Sequence, residues 1–147
     1  MDTNRATQNL VKGYVWAESV LLAVCQEFDF EIDNKVIPRI AFGFAGGIGN
    51  TGAVYGAVAG AVMAISLIID RGDTMEEAIG TLEVVKEFRQ LFENEMGTIS
   101  CRELTGIDLS TEEGVSQLMG SDTPQTVCIP AVGVAYQLVV DLLNKTS

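Results

Sequence analysis

Apolar residues recur at helical spacing along almost the whole chain, and nowhere do they alternate as in a half-buried strand. Residues 3–11 predict a short amphipathic helix stopped by Gly13. WAESVLLAVCQEF, residues 16–28, places apolar side chains at 16, 17, 20, 21, 24 and 28, one face of a second helix. Residues 34–42 predict a third, with Pro38 in its first turn, where a missing N–H matters least. Asp73 and Glu76 are spaced as a capping box ahead of a long helix. Its expected apolar face carries Met75, Ile79, Leu82, Val85, Phe92 and Met96, and Gly97 ends it. Ser100 and Glu103 frame a short helix closed by Gly106, and Ser110 and Glu113 start another. SDTPQT, residues 121–126, reads as a loop, after which Pro130 opens the final helix. No repeat, linker or charge block interrupts this pattern, so residues 1–147 read as one all-α domain.

One stretch departs from amphipathic patterning. Between Arg39 and Asp70 no residue carries a charge, and residues 53–69 approach the length of a membrane span. Gly52, Gly56 and Gly60 recur every four residues, the small-residue ridge that lets helix backbones approach closely. Against a span stand Tyr55 inside the run, seven glycines between 40 and 69, and flanks without a Lys/Arg cluster. A helix over 52–70, buried on all sides at the axis of a small bundle, is therefore expected, with the membrane span as the alternative. The preceding GFAGGIGNTG lacks the GK[ST] and GxGxxG patterns of phosphate loops. It predicts a tight connection with several positive φ angles.

Charge and composition narrow the chemistry. Nine basic against twenty acidic side chains leave a formal charge of −11, which disfavours nucleic acid and anionic membrane surfaces as partners. The chain has no histidine, which removes the commonest general base and metal ligand. Redox or metal chemistry must then rest on Cys, Asp, Glu or Tyr. Three cysteines, Cys25, Cys101 and Cys128, are too few for a secreted disulfide scaffold. The opening MDTNRATQNL has neither the basic nor the apolar region of a signal peptide, so a cytoplasmic location is expected. Cys25 lies within an apolar helix face and is expected to be a buried small hydrophobe.

Several spaced segments resemble one family. GYVWAESVLLA (13–23) is similar to a GYNCAxxVLLA-like opening, and FGFAGGIGNTGAVYGAVAGAVM (42–63) resembles FGGGxGxxGxxCGAxxGAxM. MGTISCRELTGIDL (96–109) resembles a G-x-x-x-C-R-E-L-x-G segment, and Cys128 stands where a last cysteine falls before the C-terminal helix. Together these resemble the C_GCAxxG_C_C family of "putative redox-active" proteins across nearly the whole chain. The family is marked by four cysteines, and here Trp16 and Tyr55 occupy two of those places. Four thiolates could ligate an iron–sulfur cluster or a tetrahedral metal. Two cannot complete such a site, so no iron–sulfur cluster, zinc or other cofactor is expected.

The resemblance implies a redox module working through Cys101 and Cys128, with Trp16 and Tyr55 marking the former cofactor-binding positions. Both cysteines fall near predicted helix N-termini, which favour anions, so an acidified thiol is expected at either. The alternative is a non-catalytic binding or self-associating module that kept the fold. The sequence names no enzyme activity, electron donor or protein partner.

Overall fold

The computed structural model describes residues 4–146, which form eight α-helices and no strand. Helix α1, Arg5–Val11, is capped by Asn4, whose side chain accepts the Thr7 N–H at 3.1 Å. The expected start at Thr3 lies outside the described residues. Helix α2, Trp16–Glu27, buries nine consecutive residues from Ala17 to Cys25. Such enclosure leaves polar groups dependent on internal partners. The Glu18 carboxylate accepts the Val15 N–H at 2.9 Å, and the buried Asn9 amide donates to the Ser19 carbonyl at 3.2 Å. Cys25 is enclosed here as a small hydrophobe, and burial pushes its thiol pKa up.

Helix α3, Val36–Ala41, keeps Pro38 in its first turn and runs into a 3₁₀ turn, Phe42–Phe44. The chain then winds left-handed. Gly46, Gly47, Ile48, Gly49 and Asn50 all have φ between 61° and 73°. Left-handed backbone costs an L-residue about 1–2 kcal/mol, which explains the glycines and makes Ile48 the strained member. Backbone bonds from Gly49 to Gly43, Gly52 to Gly46 and Ala53 to Gly47 close the turn.

Helix α4, Gly56–Ile68, is the Gly/Ala-rich axis; it is buried from Gly56 to Ala61 and at Ala64 and Ile65, while Ser66 is exposed and Leu67 and Ile68 are half-buried. It begins four residues later than the expected position 52, because Gly52 sits in the preceding loop with φ +74° against Arg102. Gly56 and Gly60 face α2. A Cβ at Gly60 would stand 2.4 Å from the Ala17 carbonyl oxygen, and one at Gly56 would stand 3.3 Å from Trp16 Cβ. At 13 residues, α4 is shorter than the ~20 a span requires. The helical stretch Pro124–Thr146 is long and apolar enough to cross a membrane, and 56% of its apolar window is buried inside the fold.

Helix α5, Met75–Met96, is capped one residue later than expected: Thr74 accepts the Glu77 N–H, and the Glu77 carboxylate accepts the Thr74 N–H. Its expected face holds in the second half, with Phe92 buried and Val85 and Met96 packed against the core, but the first half is rotated. Ala78, Thr81, Phe88 and Phe92 turn inward, whereas Met75, Ile79 and Leu82 are exposed. Small side chains at 78 and 81 let α5 approach its neighbours, leaving the bulkier residues one position along outside. Helix α6, Cys101–Thr105, precedes helix α7, Glu112–Gly120, whose cap is Thr111 rather than Ser110. The last residues of the expected 121–126 loop are instead helical: Pro124–Cys128 form a π turn, in which the Ile129 N–H donates to the Pro124 carbonyl five residues back. The turn leads directly into helix α8, Ile129–Thr146.

Candidate functional site

Four helix beginnings meet at one end of the bundle. Trp16 is the first residue of α2, Tyr55 immediately precedes α4, Cys101 opens α6, and Cys128 closes the π turn before α8. The two middle positions are fixed by one short antiparallel pairing. Tyr55 N–H donates to the Ile99 carbonyl and Cys101 N–H to the Ala53 carbonyl, both at 2.7 Å. Arg102 N–H donates to the Gly52 carbonyl at 3.2 Å. The left-handed turn closes over this pairing: a Cβ at Gly47 would stand 2.7 Å from Cys101 Cβ. Only glycine permits that approach.

Ser100 caps α6 by accepting the Glu103 N–H at 3.2 Å. Glu103 does not return the bond. Its carboxylate accepts from the Thr98 hydroxyl at 2.6 Å, and Thr98 Oγ1 accepts the Ser100 N–H at 3.0 Å. Thr98 thus bridges the two ends of the expected box. Across the site, the buried Tyr55 hydroxyl donates to the Cys128 carbonyl at 3.2 Å, linking α4 to the π turn.

Trp16, Tyr55, Cys101 and Cys128 all line a single cavity of about 180 Å³. Gly46 and Asn50 of the left-handed turn contribute to it, as do Leu109, Val115, Leu118 and Met119 from α7 and its approach. The walls are mostly apolar. The sequence reading did not single out the α7 side; its signal was the helical spacing of Val115, Leu118 and Met119, here turned toward a cavity instead of a core.

Neither thiol is acidified. Burial, with the nearby Cys128 as a lesser cause, pushes Cys101 up to about 11. The expected effect of the helix N-terminus is absent for a structural reason. The first N–H groups of α6 are consumed by the Ala53 and Gly52 carbonyls and by Ser100 Oγ, so none is free to stabilise a thiolate. Burial also raises Cys128, while the Tyr55 hydroxyl and the Trp16 indole N–H pull its value part of the way back. Tyr55 is held well above the ordinary phenol range, first by burial and then by the adjacent thiols. The Trp16 Nε1–H faces the Cys128 sulfur and the Tyr55 oxygen closely enough to favour their anions. Neither contact reaches full hydrogen-bond geometry, and the indole nitrogen itself is buried.

As a donor set for a metal, the arrangement is incomplete. Tetrahedral zinc and iron–sulfur sites take four thiolate or imidazole ligands. The cavity supplies two thiols, an indole and a phenol. Among the described residues, no group of three or more His, Cys, Asp or Glu is arranged to hold a metal ion.

Residues 14–142 match the family described as "Putative redox-active protein (C_GCAxxG_C_C)". The chain belongs to that family. No curated protein and no solved structure matches it. The C_GCAxxG_C_C match spans every element that contributes to the cavity, from Trp16 to Cys128.

Proposed function

We propose that this C_GCAxxG_C_C protein is a cytoplasmic two-thiol redox module whose metal-ligating capacity has been lost. Cys101 and Cys128 act as a dithiol/disulfide couple. In the oxidising half, the two thiols give two electrons and two protons to an acceptor disulfide. An S–S bond forms between Cys101 and Cys128, and the acceptor leaves as two thiols. The observation that carries this reading is that two cysteines 27 positions apart line one cavity, with Cys128 close enough to raise the pKa of Cys101. Trp16 and Tyr55 fill the remaining family positions as walls.

Both thiols are neutral at physiological pH, so exchange is slow near neutrality and accelerates as pH rises toward 11. A second reading, a binding module without redox chemistry, is favoured by the apolar walls and the neutral thiols. Equilibration of the reduced protein in graded glutathione buffers at pH 8.5, followed by intact-mass and peptide mass spectrometry, separates the two. The redox reading expects loss of two hydrogens and a Cys101–Cys128 crosslink, absent in Cys101→Ser and in Cys128→Ser. Persistence of both free thiols at the most oxidising poise, or only separate glutathione adducts, leaves the binding reading in place.

A further inference from the structure

The two thiols of the cavity have unequal surroundings. Cys128 ends the π turn, a rare local geometry that recurs at functional sites. Its sulfur sits against the buried Trp16 indole N–H, and the Tyr55 hydroxyl lies beside it, donating to the Cys128 carbonyl at 3.2 Å. At Cys101 the nearby helix N–H groups are already taken by the Ala53 and Gly52 carbonyls and Ser100 Oγ. A buried N–H without a full hydrogen bond calls for an explanation. A thiol sulfur is a weak acceptor, whereas a thiolate accepts a charge-assisted bond about twice as strong as a neutral one. The indole is thus poorly satisfied beside the resting thiol and well satisfied beside its anion. The Tyr55 hydroxyl has one hydrogen, free to rotate from the carbonyl to the same sulfur. The shifts agree in direction. Burial raises Cys128 while Tyr55 and Trp16 lower it, and charge on Cys128 in turn raises Cys101 and Tyr55. Among the described residues that line the cavity none carries a charge, so Cys101 and Tyr55 are the titratable groups that share it with Cys128.

We infer that Cys128 is the attacking thiol and Cys101 the resolving one, with Trp16 Nε1–H and the Tyr55 hydroxyl placed to hold the Cys128 thiolate. The chemistry rests on the two-thiol reading; the order in which the thiols ionise does not. The Cys128 sulfur attacks one sulfur of the acceptor disulfide and forms a mixed disulfide. The other half leaves as a thiol, taking up the Cys128 proton. Cys101 then attacks the Cys128 sulfur, closing the Cys101–Cys128 bond, and its proton leaves with the second half as a thiol. Two electrons and two protons have passed to the acceptor. Trp16 and Tyr55 are positioning residues, acting through the Cys128 sulfur.

The test is iodoacetamide alkylation of the reduced full chain across pH, with each cysteine read separately by peptide mass spectrometry. The Cys128 midpoint should fall below the Cys101 midpoint of about 11. Trp16→Phe and Tyr55→Phe should each raise the Cys128 midpoint by about one pH unit or more, because a hydrogen bond to a charged group is lost. Neither should raise the Cys101 midpoint. A variant that merely loosens the cavity would instead expose both thiols and lower both midpoints. With glutathione disulfide, Cys101→Ser should form its adduct on Cys128 several-fold faster than Cys128→Ser forms one on Cys101. Equal midpoints, a lower midpoint at Cys101, no labelling of Cys128 in the folded parent, or a Cys128 profile that neither aromatic substitution raises would overturn the inference. The comparison within the parent needs no variant, so a substituted chain that fails to fold leaves the test intact. Earlier ionisation of Cys128 without a Cys101–Cys128 crosslink in glutathione buffers removes the redox reading alone. A crosslink in a chain whose Cys101 ionises first removes this inference alone.

Discussion

Cys101 shows how local geometry overrides a sequence rule. A cysteine just after a helix cap ordinarily meets free N–H groups that favour its thiolate. Here Ala53, Gly52 and Ser100 take those groups, and burial then decides the direction. Alkylation of the native protein should therefore reach half its maximal rate near pH 11, and a midpoint below 8.5 would contradict this account. The sign for stability follows from the same shift. A thiol with a higher value in the fold than in the unfolded chain binds its proton more tightly when folded. Its contribution is complete below the unfolded value of about 8.5 and is lost as pH rises toward 11. Thermal midpoints should fall across that window, less steeply in Cys101→Ala than in the parent. The sequence showed the cap and the cysteine. It did not show the pairing with residues 52–55, which lie almost fifty positions earlier and carry no strand pattern of their own.

At the scale of elements, helix type and order were legible because apolar spacing and caps are local properties. What faces inward was less so. The first half of the α5 stripe differs by one position, with Ala78 and Thr81 inward in place of Ile79 and Leu82, while Val85, Phe92 and Met96 keep their expected side. The glycine ridge divides in the same way. Gly56 and Gly60 form the contact with α2, whereas Gly52 serves a left-handed loop. This yields a graded prediction. Gly60→Ala would drive a Cβ to 2.4 Å from a backbone carbonyl of α2, so it should destabilise by about 1–3 kcal/mol or more. Gly80, inside α5, has nothing within 4 Å of a built Cβ. Gly80→Ala should raise stability by about 0.5–1 kcal/mol through helix propensity. Urea denaturation of the two variants checks both, and a neutral Gly60→Ala would mean that α2 and α4 are not in fixed contact.

At the scale of the molecule, the bundle gathers four helix beginnings that the sequence spreads from residue 16 to residue 128. The family pattern made these positions visible one by one. Their meeting point depends on the left-handed turn and the π turn, neither of which has an apolar period to read. The π turn in particular replaces an expected loop and sets the Cys128 carbonyl against Tyr55. The central claim is that the four family positions are one site, with Trp16 and Tyr55 standing where two further thiols would complete it. Its most direct measurement is anaerobic cobalt(II) titration of the Trp16→Cys, Tyr55→Cys double variant, with folding verified by circular dichroism. The account predicts intense thiolate-to-metal absorption at one equivalent of cobalt in the double variant, and none of comparable strength in the parent. A folded double variant that gains no such absorption, or a parent that matches it, would contradict the claim.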